Sequence, residues 1–181
     1  MKNLELKMKN HKKNQKLKIF FLFSFILSLF ILNGCYSLNG SSLDPSIKTV
    51  QIDLFPNYAP LQNVTLSQNF TNDLRDRFQQ RTPLDVVDNN GDISISGEIT
   101  DYRESYTTVT SNEQAQQNRL TIKIKVNYVN NLDDTKSFSK TFQDYEDYPG
   151  NQTLTQVEGT VVPDITERII DQIYNAIVTD W

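Results

Sequence analysis

The chain has 181 residues, a formal charge of −4 at neutral pH, one Cys and one His, a length that suits a single folded domain. The charge is unevenly placed: seven of the eighteen Lys and Arg lie in the first 18 residues, whereas beyond residue 34 eleven basic residues face twenty-one acidic ones. A body this acidic offers no basic footprint for nucleic acid, and a single Cys with His11 as the sole histidine excludes an internal disulfide, a His/Cys zinc set and a histidine base after position 34. No cofactor or metal is expected. The paired acids Asp133–Asp134 and Glu146–Asp147 lie in polar segments where adjacent side chains point apart, so no catalytic centre is expected either.

The basic stretch MKNLELKMKNHKKNQKLK precedes IFFLFSFILSLFIL, an apolar run from Ile19 to Leu32. At ~1.5 Å per residue it would span roughly 21 Å, short of the ~30 Å hydrocarbon core, and it reads as a secretory leader rather than a membrane span. The run ends in Leu32-Asn33-Gly34-Cys35, which resembles a bacterial lipoprotein lipobox, with Asn33 departing from the usual small or apolar residue. The resemblance implies that the Cys35 thiol receives a diacylglycerol, that the chain is cut after Gly34 and that the new amino terminus is acylated. Several acyl chains anchor stably where one does not. Residues 1–34 are thus the expected signal peptide, 35–46 a lipidated tether rich in Ser, Asn and Gly, and 47–181 one domain. Tyr36 and Ser37 follow the cysteine with no acid at the position that resembles an inner-membrane retention signal. The expected location is the outer membrane, lipid-anchored and facing the periplasm.

Within the domain, KTVQIDLF (48–55) alternates Val50, Ile52 and Leu54 with polar residues and predicts a strand ended by Pro56. From Thr65 to Arg81, Leu66, Phe70, Leu74 and Phe78 form one stripe of a helix, with Thr65 as its cap and Pro83 beyond its end. Val86 and Val87 either finish a turn or begin a short strand before the turn DNNGD. ISISGEIT (93–100) then predicts a strand in which Gly97 marks a bulge or close packing against a helix. RLTIKIKVNY (119–128) turns Leu120, Ile122, Ile124, Val126 and Tyr128 one way and Arg119, Thr121, Lys123 and Lys125 the other. The turn NNLDD (130–134) joins it to KSFSKTFQDY as an antiparallel hairpin. Residues 144–162 read as a loop. DITERIIDQIYNAIVTDW (164–181) carries Ile165, Ile169, Ile173 and Ile177 on a second helix, with Asp164 and Glu167 at capping-box spacing. The predicted fold is α+β: two amphipathic helices packed on one face of a four-stranded, mixed or mostly antiparallel sheet.

The lipobox at LNGCYS, the strand IKTVQIDLF, the GEI segment leading to DYRESY, NRLTIKIKVNYVN and the terminal DQIYNAIVTDW, in that succession, are similar to the short form of the lipopolysaccharide-assembly lipoprotein LptE family. The resemblance implies an α+β lipoprotein that plugs the large outer-membrane β-barrel LptD, assists its assembly and supports lipopolysaccharide insertion into the outer leaflet. A domain this acidic is poorly suited to a polyanionic glycolipid, which ranks barrel binding above lipid binding. Arg119, Lys123 and Lys125 form the local basic row that would meet lipid phosphates. Tyr102, Tyr106, Tyr145 and Tyr148, at strand ends or in loops, are the candidate barrel contacts. The competing reading is an envelope lipoprotein that binds a small ligand, or acts in assembly, without LptD.

Overall fold

The computed structural model describes residues 43–179 except residue 62 and the segment 109–115. The leader, Cys35 and most of the tether lie outside the described residues. Strands β1 (Thr49–Ile52), β2 (Asp85–Val87), β3 (Ile93–Thr108), β4 (Gln116–Asn130) and β5 (Phe138–Pro149) form one sheet in the order β2-β1-β3-β4-β5. Helix α1 (Leu66–Arg81) connects β1 to β2, and α2 (Leu154–Val178) follows β5. β1 runs parallel to both of its neighbours, while β3, β4 and β5 form an antiparallel meander. The sheet has five strands rather than the four expected from the sequence. Three-residue β2, with no buried position of its own, is held in the sheet by the pairs Thr49↔Asp85 to Gln51↔Val87.

Both helices cover one face. Phe70, Leu74 and Phe78 of α1 and Ile165, Ile169, Ile173 and Ile177 of α2 are fully buried against Val50, Ile95, Ile99, Ile122, Ile124 and Val126. Burying each such side chain contributes roughly 1.5–3 kcal/mol, offset by the conformational entropy lost on ordering the chain. Phe55 meets Phe70 edge-on at 5.2 Å, and Tyr174 meets Phe78 at 5.6 Å, so the aromatics join the segment after β1 to α1 and helix to helix. Arg75 of α1 donates from Nε (3.1 Å) and Nη2 (2.6 Å) to the Ile52 carbonyl, satisfying the main chain where β1 ends. The opposite face of the sheet carries no helix among the described residues and is polar.

Three local expectations change. Thr65 stands at the N-cap of α1 as expected, but its side chain makes no capping hydrogen bond; Asn63 does so, its Oδ1 accepting from the backbone N–H of Leu66 (2.9 Å) and of Thr65 (3.0 Å). The bulge in β3 falls at Thr100, between Ile99 and Asp101, and what approaches Gly97 closely is not a helix but the Lys125 main chain of β4 and the Phe55 ring. Residues 144–162, expected as a loop, form the end of β5, a short turn at 150–153 and the first turns of α2. The helix begins after Thr153, whose backbone N–H donates to Gln156 Oε1 (2.9 Å), and continues through Pro163 rather than starting at Asp164.

The DNNGD turn ties the start of β3 to β1. Asp92 accepts from the backbone N–H of Lys48 (2.8 Å) and Thr49 (2.9 Å), while the Thr49 hydroxyl accepts from the Asp92 N–H (2.8 Å). These donors hold the Asp92 carboxyl below its ordinary range. A group depressed in the folded state contributes stability above its unfolded pKa, and that contribution is lost as pH falls through the folded value. In acid titrations followed by circular dichroism, Asp92→Asn should therefore flatten the loss of stability below about pH 4, with no change of slope near neutrality.

Candidate interaction surface

β3 and β4 extend together well past β1; beyond it the chain touches β3 once more through an isolated parallel bridge, Asn57↔Ile99. There the Tyr58 N–H donates to the Ile99 carbonyl (2.9 Å) and the Ile99 N–H to the Pro56 carbonyl (2.9 Å). Among the described residues between this bridge and α1, Tyr58, Leu61 and Val64 are exposed, the last at 97%. Pro60 and Leu61 face Asp101, Tyr102, Arg103 and Glu104 across a cleft of about 350 Å³. The chain enters the domain at the other end of the sheet, where Ile47 is buried and Val50 pairs with Ile93.

The four singled-out tyrosines separate into two pairs. Tyr102 is buried and donates to Glu158 Oε1 (2.5 Å), which also accepts from Asn63 Nδ2 (2.7 Å). Tyr148 is buried and donates to Glu104. Desolvation, reinforced by the neighbouring carboxylate, pushes both phenols above their ordinary pKa. These two rings tie the far end of the sheet together and offer no free surface. Tyr106 and Tyr145, by contrast, are 73% and 49% exposed.

The basic row lies on the helix-free face, but its charges are partly compensated. Arg119 makes a two-point contact with Asp147, Nε to Oδ1 at 2.6 Å and Nη2 to Oδ2 at 2.8 Å, and its guanidinium stacks 3.7 Å from the Tyr145 ring centroid. The hydrogen bonds raise the Arg119 pKa and lower that of Asp147. Lys123 Nζ lies 3.8 Å from Asp101 Oδ2, which also faces Arg103 at 3.5 Å. Lys125 is exposed, in register with Glu98 on β3. A phosphate approaching this row must compete with carboxylates already in place. The register supplies those partners, so neighbouring residues in the sequence do not reveal them.

Acids also explain the end of β5. Asp144 and Glu146 point to the helix side, where Arg168 of α2 meets them at 3.2 and 2.9 Å and donates to the Tyr145 carbonyl at 2.8 Å. Among the described residues, no group of three or more His, Cys, Asp or Glu is placed to hold a metal.

The domain is thus a two-layer α+β unit with one wet sheet face and a long protruding strand pair beside an exposed apolar segment. The family model LptE, described as lipopolysaccharide-assembly, matches residues 47–177, and the chain belongs to that family. No curated protein matches. Among solved structures, the chain is similar to uncharacterized lipoprotein B from Nitrosomonas europaea, with 13% identity, 70% of this chain and 79% of that one covered, and a TM-score of 0.45. It is also similar to a minor lipoprotein from Acinetobacter baumannii, with 14% identity, coverages of 73% and 96%, and a TM-score of 0.40. For the rare lipoprotein B from Shewanella oneidensis the values are 12%, 70% and 90%, and 0.43.

Proposed function

We propose that this chain is a non-enzymatic outer-membrane lipoprotein, anchored through acylated Cys35 and facing the periplasm, that plugs the lipopolysaccharide-transport β-barrel LptD and assists its assembly. The observation that carries the reading is the LptE match over residues 47–177, preceded in the sequence by the leader, LNGC and a short tether. The exposed Tyr106 and Tyr145 support a protein interface on the domain, since an amphipathic ring joins apolar contact to a hydrogen bond. Direct contact with lipopolysaccharide is secondary: Arg119 and Lys123 already face Asp147 and Asp101, leaving Lys125 as the member of the row best disposed to a lipid phosphate.

Affinity purification of the full chain from membranes tests the reading. The expected result is one large β-barrel recovered in stoichiometric amount, and Cys35→Ser should move the chain out of the membrane fraction. Recovery without a barrel would favour an assembly or ligand-binding lipoprotein of another kind.

A further inference from the structure

Helix α2 is continuous in outline but interrupted in its hydrogen bonding. Pro163 has no N–H, so the carbonyl of Gly159 loses its helical donor and the ladder is weakened where the first turns meet the rest. The two parts are held differently. Beyond the proline, Ile165, Ile169, Ile173 and Ile177 are fully buried in the core. Before it, Val161 and Val162 are buried beside the proline, Leu154 and Val157 are only partly buried, and Thr155, Gly159 and Thr160 are exposed and poor helix formers.

A single carboxylate fastens these first turns. Glu158 Oε1 accepts from the Tyr102 hydroxyl of β3 (2.5 Å) and from Asn63 Nδ2 (2.7 Å), so one oxygen gathers α2, the sheet and the residues that enter α1. The same Asn63 side chain caps α1 through its Oδ1, which accepts from the Leu66 N–H at 2.9 Å. A weaker tie, from Asn118 Nδ2 to the Gln152 carbonyl at 3.3 Å, lies just before the helix. We propose that residues 153–162 form a hinged strap that opens as a unit at Pro163, with Glu158 as its clasp, and that the cap of α1 is released in the same event while the sheet and the rest of α2 stay folded. The open form frees the Tyr102 hydroxyl beside the cleft that Tyr102 already lines with Leu61, and so enlarges the surface offered there. The strap stands apart from the barrel reading and requires no partner.

Amide hydrogen exchange of the full chain in detergent, at increasing urea below the unfolding transition, tests the strap. The N–H groups of Glu158, Gly159 and Thr160 bond to the carbonyls of Leu154, Thr155 and Gln156 in the helix. Relative to their intrinsic rates they should exchange at least about a hundredfold faster than those of Ile169 and Ile173, with a shallower dependence on urea because less surface is uncovered. Two variants define the unit that opens. Gly159→Ala strengthens the strap through helix propensity and should slow exchange about fourfold at Glu158 and Thr160. It should slow Leu66 by the same factor, although nothing lies within 4 Å of a Cβ built at position 159. Ile173→Val weakens the core alone: it should speed exchange several-fold at Ile169 and leave Glu158, Thr160 and Leu66 unchanged. A third comparison addresses the clasp. Glu158→Ala should speed exchange at Thr160 about tenfold, and Glu158→Gln, which keeps an acceptor oxygen, by less. Equal acceleration of Thr160 and Ile169 by Ile173→Val means that α2 opens only as a whole and overturns the strap. Indifference of Leu66 to Gly159→Ala overturns the joint release of α1, and wild-type exchange in Glu158→Ala overturns the clasp.

Discussion

Ile124→Asp should abolish the folded state. Ile124 sits in the middle of β4, fully buried, paired with Ile99 on one side and Phe142 on the other. The substitution removes an aliphatic contribution of about 2–3 kcal/mol and places a carboxylate among apolar side chains. Leaving a charge buried without a partner costs a further 3–5 kcal/mol or so, and the total rivals the roughly 5–15 kcal/mol that keeps a domain of this kind folded. Circular dichroism of the full chain should show no cooperative thermal transition in the variant. Retention of the wild-type melting temperature would refute the placement of β4 at the centre of the core.

The second large effect comes from a single methyl group. A Cβ added at Gly97 would stand 2.1 Å from the carbonyl oxygen of Lys125 and 2.5 Å from Cε1 of Phe55. The first neighbour is main chain held in the β3–β4 ladder, so it cannot swing away as a side-chain tip would. Overpacking typically costs 1–3 kcal/mol, and Gly97→Ala should lie at or above the upper end of that range because the ladder itself must open. Urea denaturation should move to a markedly lower midpoint. Gly159→Ala provides the contrast: nothing lies within 4 Å of a Cβ built there, and Ala is the better helix former, so that change should be neutral or stabilising.

These two residues mark where the sequence is readable. Ile124 lies in an uninterrupted alternation, and the stripes of Leu66, Phe70, Leu74 and Phe78 and of Ile165, Ile169, Ile173 and Ile177 are equally regular. Each element buries one face against a uniform layer, and local periodicity follows directly from that. Periodicity disappears where a buried or half-buried position is polar and its partner is distant. Asp144 and Glu146 interrupt the apolar pattern of β5 because Arg168 supplies their compensation from the next helix. The first turns of α2 are obscured in another way, since Thr, Gly and Pro are poor helix formers; Val161 and Val162 are nevertheless buried and the Thr153–Gln156 cap begins the helix.

The candidate surface was less legible than the core. The basic row was visible as an alternation, but its compensation by Asp147 and Asp101 depends on strand register, which links residues 28 and 22 positions apart. The same holds for Tyr102 and Tyr148, whose carboxylate partners Glu158 and Glu104 lie on other elements. The apolar segment around Leu61 follows no helix or strand period, and β3 outruns its neighbour only because β1 is short.

The placement of the chain's start at one end of the sheet and of the β3–β4 protrusion at the other has a mechanical consequence. A pull between the start of β1 and the far end of β3 runs along the strands, over roughly 40 Å at ~3.3 Å per residue. The hydrogen bonds of the parallel β1–β3 ladder run across that direction on a slant. They carry the load in parallel and resist as a group, whereas a pull across the sheet would unzip them one after another.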